Sequence, residues 1–283
     1  MKTLIIPPVS RSFLLRQSVT CIVIAILAHA SLSAGIVFGG FDASRGGSLS
    51  FDGGGVTGAQ ASLQTAFPGA TFVTANQITP AFLSGVDVVI LGAGTANNAA
   101  IVPLSTTEQD ALKNFVLGGG GAILFTDNDT FAGAASQPAN DSLANPFGFV
   151  TTGTLNNAQG MTMNTPGADP ISGGPFGTVS ATVSYWPGWF STLPASAVEV
   201  ASLDANGNAA LCYLPKGSMS VGSGGLVIFS DGTLMADGYA ATSDYILLDN
   251  SVAYVIPEST GFALFAGVGL LALALRRRLN RAA

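Results

Sequence analysis

Residues 105–129 read STTEQDALKNFVLGGGGAILFTDND, and the order of their parts decides the fold. Ser105 with Glu108 three positions on makes a capping box, in which hydroxyl and carboxylate each satisfy a free amide hydrogen of a helix start. Ala111, Leu112, Phe115 and Val116 then fall on one helical face, and Gly118 to Gly121 stop the helix. The run AILF that follows is apolar at every position, so both faces of that strand need a roof. A helix, a glycine stop, a doubly buried strand and an acidic strand end make up one α/β unit.

The same grammar extends outward in both directions. VDVVIL (residues 86–91) and LVIF (226–229) are again apolar on both faces, and further strands are expected at Ile36 to Phe38, Ala70 to Thr74, Val198 to Leu203 and Ala209 to Leu214. Helices are expected from about Val56 to Phe67 and from Thr242 to Val255. Strands alternating with helices imply a three-layer α/β domain around a parallel sheet. Residues 130–197, rich in Gly, Pro, Asn and Thr with one strand near Thr178 to Tyr185, read as a β-rich or irregular insertion over one end of that sheet.

The two ends differ in kind from the domain between them. Residues 1–33 place Lys2, Arg11 and Arg16 before a short apolar core and then small residues, which is the order of a secretory signal. Cleavage is expected after Ala30 or Ser33, leaving residues 34–255 as the exported domain. Residues 256–283 hold Pro257-Glu258, an apolar run from Gly261 to Leu275, and the basic cluster Arg276, Arg277, Arg278. Arginines stay on the cytoplasmic side, so this end is expected to lie inside and the domain outside. The run is shorter than the ~20 residues of a comfortable span, which suits a transient anchor.

The tail resembles the PEP-CTERM sorting signal, whose members are processed by an exosortase; here Ser259 stands where that motif has its second proline. The resemblance implies processing by signal peptidase and exosortase, with passage from the inner membrane to the cell surface or extracellular space. The segments VDVVILGAG, STTEQDALKNFVLGGGGAILFTDND, ANPFGF, ADPISGGPFG and GSGGLVIFSDGTLMAD, taken in order, resemble the class I glutamine amidotransferase-like superfamily, of flavodoxin-like type. Active members carry a cysteine after the strand that here ends Thr126-Asp127-Asn128-Asp129, and related domains have His-Pro where this chain has Asp169-Pro170. The resemblance therefore implies the fold without the amidase.

Composition removes several function classes. Between Gly35 and Ile256 the basic residues are Arg45, Lys113 and Lys216, against fifteen acids, so nucleic acid is repelled. The one histidine, His29, and Cys21 lie in the leader, which leaves the domain a single thiol, Cys212, in the apolar run AALCYL. Triads and dyads that use a histidine base are excluded, as are His-ligated zinc sites and an internal disulfide. The glycine-rich turns lack both the P-loop and the dinucleotide spacing.

Two groups of residues remain as candidates. In an open α/β sheet, ligands bind beyond the carboxyl ends of the strands, where the loops would carry Asp42, Asp127, Asp129 and Asp231, with Thr95 and Asn128 nearby. Such carboxylates suit a hard cation such as Ca²⁺; equally, aspartates at strand ends close turns and cap helices. Trp186 and Trp189, in YWPGWF, could stack on sugar rings of an exopolysaccharide or plug the space under the insertion. The expectation is an exported, non-catalytic binding or scaffolding domain of the envelope, with a metal-dependent glycan hydrolase using aspartates alone as the alternative.

Overall fold

In the computed structural model, residues 35–93 and 101–257 are described; the signal, the loop that includes Thr95, and the tail from Glu258 with its arginines lie outside the described residues. Four crossovers build the core: β1 (Val37–Phe41), β2 (Thr71–Ala75), β3 (Val88–Gly92), β4 (Gly121–Phe125) and β11 (Leu226–Phe229) run parallel in the order β2-β1-β3-β4-β11. That is the flavodoxin-like order, with its switch point between β1 and β3.

Strict alternation sends each apolar run to two cores. Val88, Ile90, Ile123, Phe125, Val227 and Phe229 face one side, with Phe125 stacked on Phe229 at 4.7 Å. There they meet Ala59 and Leu63 of α2 (Thr57–Ala66) and Leu247, Leu248 and Val252 of α6 (Thr242–Val255). Val89, Leu91, Ala122, Leu124 and Ile228 face the other side, against Ala111, Leu112 and Val116 of α4 (Thr106–Leu117) and Leu83 of α3 (Pro80–Leu83). Three layers follow, as expected. The capping box of α4 forms with both of its hydrogen bonds.

The sheet is not wholly parallel. β10 (Ala209–Leu214) and β9 (Val198–Leu203) continue it antiparallel beyond β11, and residues of the insertion, β6 (Ala158–Met163) and β7 (Ala181–Tyr185), extend it further. The insertion therefore widens the sheet rather than lying over one end of it. It also contributes a helix that was not expected, α5 (Ser136–Ala144), and a short pair, β5 (Val150–Thr152) with β8 (Trp189–Thr192). Side chains such as Met161 and Met163, buried against Val200 and Leu203, make this extension part of the first core.

Both ends of the described chain leave from the amino pole of the parallel strands. Val37 N–H donates to Asp87 Oδ2 at 2.8 Å, while the Gly121 and Asp87 backbones join at 3.1 Å. A Cβ on Gly121 would sit 2.6 Å from the Val255 carbonyl, which puts the end of α6 at the same pole. Pro257 follows the helix directly, in keeping with proline's place just past a helix end. Among the described residues, no helix is long and apolar enough to cross a membrane.

Candidate functional site: the carboxyl-end rim

Near the carboxyl ends of β1 and β3, side chains of the protein are drawn into one buried polar cluster. Asp42, which follows β1, caps the four-residue α1 (Ala43–Gly46) by accepting from Ser44 N at 3.0 Å and Ser44 Oγ at 2.6 Å. This turn carries Arg45, 8% exposed, into the cluster, where it pairs with Glu108 and donates to the carbonyls of Asn76 at 2.9 Å and Pro103 at 3.2 Å. Its guanidinium lies 4.4 Å from the Phe41 ring centre. Burial of Glu108 works against its charge, but Arg45 and the amides of Ser105 and Ile78 outweigh it and hold the carboxyl below its usual range. The pocket behind, between Gly40, Phe51, Ile90 and Met235, has room for about one water.

Further along the rim, two of the four predicted aspartates come together. Asp231, 0% exposed after β11, accepts from Ser184 Oγ at 2.5 Å, Thr233 Oγ1 at 2.6 Å and Thr233 N at 2.8 Å. Burial pushes its carboxyl up to about 6 against the pull of those donors. Asp127, after β4, is raised well above the ordinary range by burial and by the charge of Asp231 facing it. Its backbone is clamped on both sides by Asn140 of α5, which accepts from Asp127 N at 2.9 Å and donates to its carbonyl at 2.7 Å. Burial is the first cause of the shift in both carboxyl groups, and the Asp231 charge adds to it at Asp127.

The other two aspartates are committed elsewhere. Asp42 is the cap just described, and Asp129 accepts from Gly153 N, tying the β4 loop to the strand β5 loop, while its Oδ1 is buried without a partner. Among the described residues no group of three or more His, Cys, Asp or Glu is placed to hold a metal ion. Of the two readings of these aspartates, capping is what Asp42 does, and only Asp127 and Asp231 are brought together. Strand ends fix which pole a residue occupies but not how far apart β1, β4 and β11 hold their loops.

The tryptophans separate just as clearly. Trp189 is half-buried against the first core, and a Cβ on Gly153, at φ +86°, would lie 1.9 Å from its ring. Its role is the plug. Trp186 is 39% exposed and adopts φ +59°, a left-handed backbone uncommon for so large a residue. Its carbonyl is held by Asn128 Nδ2 at 2.8 Å, and the same nitrogen reaches Asp127 Oδ1 at 3.0 Å. The ring packs on Tyr239 at 5.4 Å and Tyr185 at 6.0 Å, and those two tyrosines meet at 5.4 Å. Tyr239, 43% exposed, was not recognisable as a site residue from sequence because nothing local marks it.

No family model and no curated sequence matches this chain. Solved structures do. A cytoplasmic protein of Salmonella typhimurium is 13% identical, covering 79% of this chain and 100% of its own, with a TM-score of 0.53. An IFT52 N-terminal domain is 15% identical over 77% and 95%, at 0.52. A ThuA-like protein from Bacteroides uniformis is 13% identical over 78% and 90%, at 0.51. At such identity the likeness is one of fold. After β4, where the amidotransferase resemblance would put a cysteine, the chain reads Thr126-Asp127-Asn128-Asp129. The one thiol among the described residues, Cys212, is enclosed in β10 and pushed up by burial and by the charge of Glu199.

Proposed function

We propose that this chain is an exported envelope protein whose α/β domain binds or scaffolds an envelope partner through its carboxyl-end rim and is not an enzyme. The observation that carries this is the buried Arg45–Glu108 pair, which stands among the described residues near the carboxyl ends of β1 and β3, the region where an open α/β sheet ordinarily takes a small ligand. Binding is left to the surface beside it, where Trp186 and Tyr239 stand exposed. Export and anchoring rest on the leader of residues 1–33 and on Pro257-Glu258, the apolar run and Arg276 to Arg278, the last of which also makes exosortase processing the expected fate of the tail.

The test is retention of the full chain on the native exopolysaccharide and envelope fraction, together with fractionation of cells carrying Arg276, Arg277 and Arg278 changed to Ala. Retention and altered tail processing are expected. A chain that stays in the cytoplasm, or that is released unprocessed and unretained, refutes the reading. The Asp127 and Asp231 pair favours a second reading, glycan hydrolysis, since two neighbouring carboxyl groups are the equipment of that reaction. Release of reducing ends, lost on Asp127→Asn, would put it first.

A further inference from the structure

We infer that Tyr185, Trp186 and Tyr239 form a platform for the rings of a neutral polysaccharide. This rests on the binding reading above and names its ligand. The aromatic faces of a sugar-binding surface must be exposed, adjacent and fixed in place, because stacking against the C–H face of a pyranose is lost if the ring can turn away. Trp186 and Tyr239 meet the first condition and the three mutual contacts meet the second.

The third condition is met at a cost in backbone strain. Trp186 is held at φ +59° immediately before Pro187, and Asn128 fixes its carbonyl. Strained residues persist where the surrounding structure over-determines them, and they gather at ligand sites. Asn128 is itself pinned, its Oδ1 accepting from Thr130 N and Thr130 Oγ1, both at 2.9 Å. One amide thus ties the Trp186 loop to the Asp127 carboxyl and holds the ring in place.

Charge and shape select the ligand among those that stack on aromatic rings. Arg45 is consumed by Glu108, Lys113 sits on exposed α4, and Lys216 lies near Ile256 at the opposite pole, where its Nζ donates to that carbonyl at 2.8 Å. The rim carries Asp129 and Asp237 and, among the described residues, no basic side chain beside the rings, so uronates and sulfated chains are repelled. A quaternary ammonium needs rings standing apart around it, each within about 6 Å of the charge. Here the rings touch one another and leave no cage. The rings are tilted against one another by 53° to 74°, so Trp186 and Tyr239 present separate exposed faces, each able to take one sugar ring, in acidic surroundings that fit an uncharged chain.

The experiment uses the full-length protein in a detergent without a sugar headgroup. Tryptophan emission is followed on titration with neutral hexasaccharides of glucose, mannose, galactose and N-acetylglucosamine, with oligogalacturonate and with choline. A response to at least one neutral oligosaccharide and none to oligogalacturonate or choline is expected. Trp189→Phe should keep the response, Tyr239→Ala should weaken binding at least tenfold, and calorimetry should find none in Trp186→Gly. Because glycine accepts φ +59° freely, Trp186→Gly should melt no lower than the parent, which separates lost contact from lost fold. Absence of any neutral response, or unchanged binding in Trp186→Gly, overturns the proposal. If envelope retention still succeeds, the ligand class alone falls; if both fail, the binding reading falls with it.

Discussion

Replacing Asp231 by Asn is expected to stabilise the domain at neutral pH, against the usual effect of disturbing a fully buried, hydrogen-bonded side chain. The folded-state value near 6, set against an ordinary 3.8, is a gap of about two units. At 1.36 kcal/mol per unit, this is about 3 kcal/mol of penalty for carrying the charge when folded. The sign follows from linkage: the folded state binds this proton more tightly than the unfolded chain. The penalty is therefore absent below pH ~4, grows as pH rises toward 6, and is complete above it. Asn removes the charge and keeps the shape. Its oxygen can accept from Thr233 N, and its amide can donate to Thr233 Oγ1, whose own proton then serves the Tyr185 carbonyl 3.1 Å away. Refitting the Ser184 bond costs about 1 kcal/mol. The net expectation at pH 7.5 is a gain of about 1–2 kcal/mol, or roughly 2–8 °C in melting temperature for a domain of this size. At pH 4 the gain vanishes or reverses. Melts of parent and variant at pH 4, 6 and 7.5 measure this difference, in which the general effect of net charge largely cancels. A variant destabilised equally at all three values would show that Asp231 is a hydrogen-bond anchor whose charge is already compensated.

Two further outcomes follow from the packing. Arg45→Ala leaves Glu108 buried and unpaired at the switch point and should cost about 3–5 kcal/mol in urea denaturation, whereas Arg45→Met with Glu108→Leu should recover most of it. A loss below about 1 kcal/mol for the single change would mean that solvent reaches the pair. Gly153→Ala places a methyl 1.9 Å from the Trp189 ring at φ +86°. It should cost about 3 kcal/mol by strain and overpacking together, with the buried indole emission shifted to longer wavelength; an unchanged melt and spectrum would refute the plug assigned to Trp189.

The parallel half of the sheet was legible because its strands are doubly buried and their helices carry local signals. Ser105, Glu108 and Gly118 fixed α4 to within a residue, and VVIL, AILF and LVIF fixed the centre of the sheet. Helix α5 was hidden for a physical reason. Its buried face includes Ser136, Asn140 and Ser142 as well as Ala139 and Leu143, since Asn140 serves the Asp127 backbone, and a polar buried face erases hydrophobic periodicity. Strand β6, AQGMTM, lacks β-branched residues except Thr162 and takes its place through Met161 and Met163 filling a core that only the assembled sheet creates. The site was legible in part. Asp127 and Asp231 were placed on the right rim by strand polarity, while their confrontation, and the arrival of Tyr239 beside Trp186, depend on how far the sheet spreads its loops.

The polarity of the chain exits has a consequence for strength of attachment. Ile36 and Pro257 leave at the amino pole, and the rim lies at the carboxyl pole. If copies are held at one end, as proposed, neighbouring domains can address one long polymer together. Repeating sugar units and a carpet of tethered domains convert successive contacts into intramolecular events, so overall avidity can exceed a single site by about 10²–10⁴ without any added contact. A platform too weak to hold one oligosaccharide in dilute solution could still fasten a polysaccharide layer, and cutting the domain from its tether would release it.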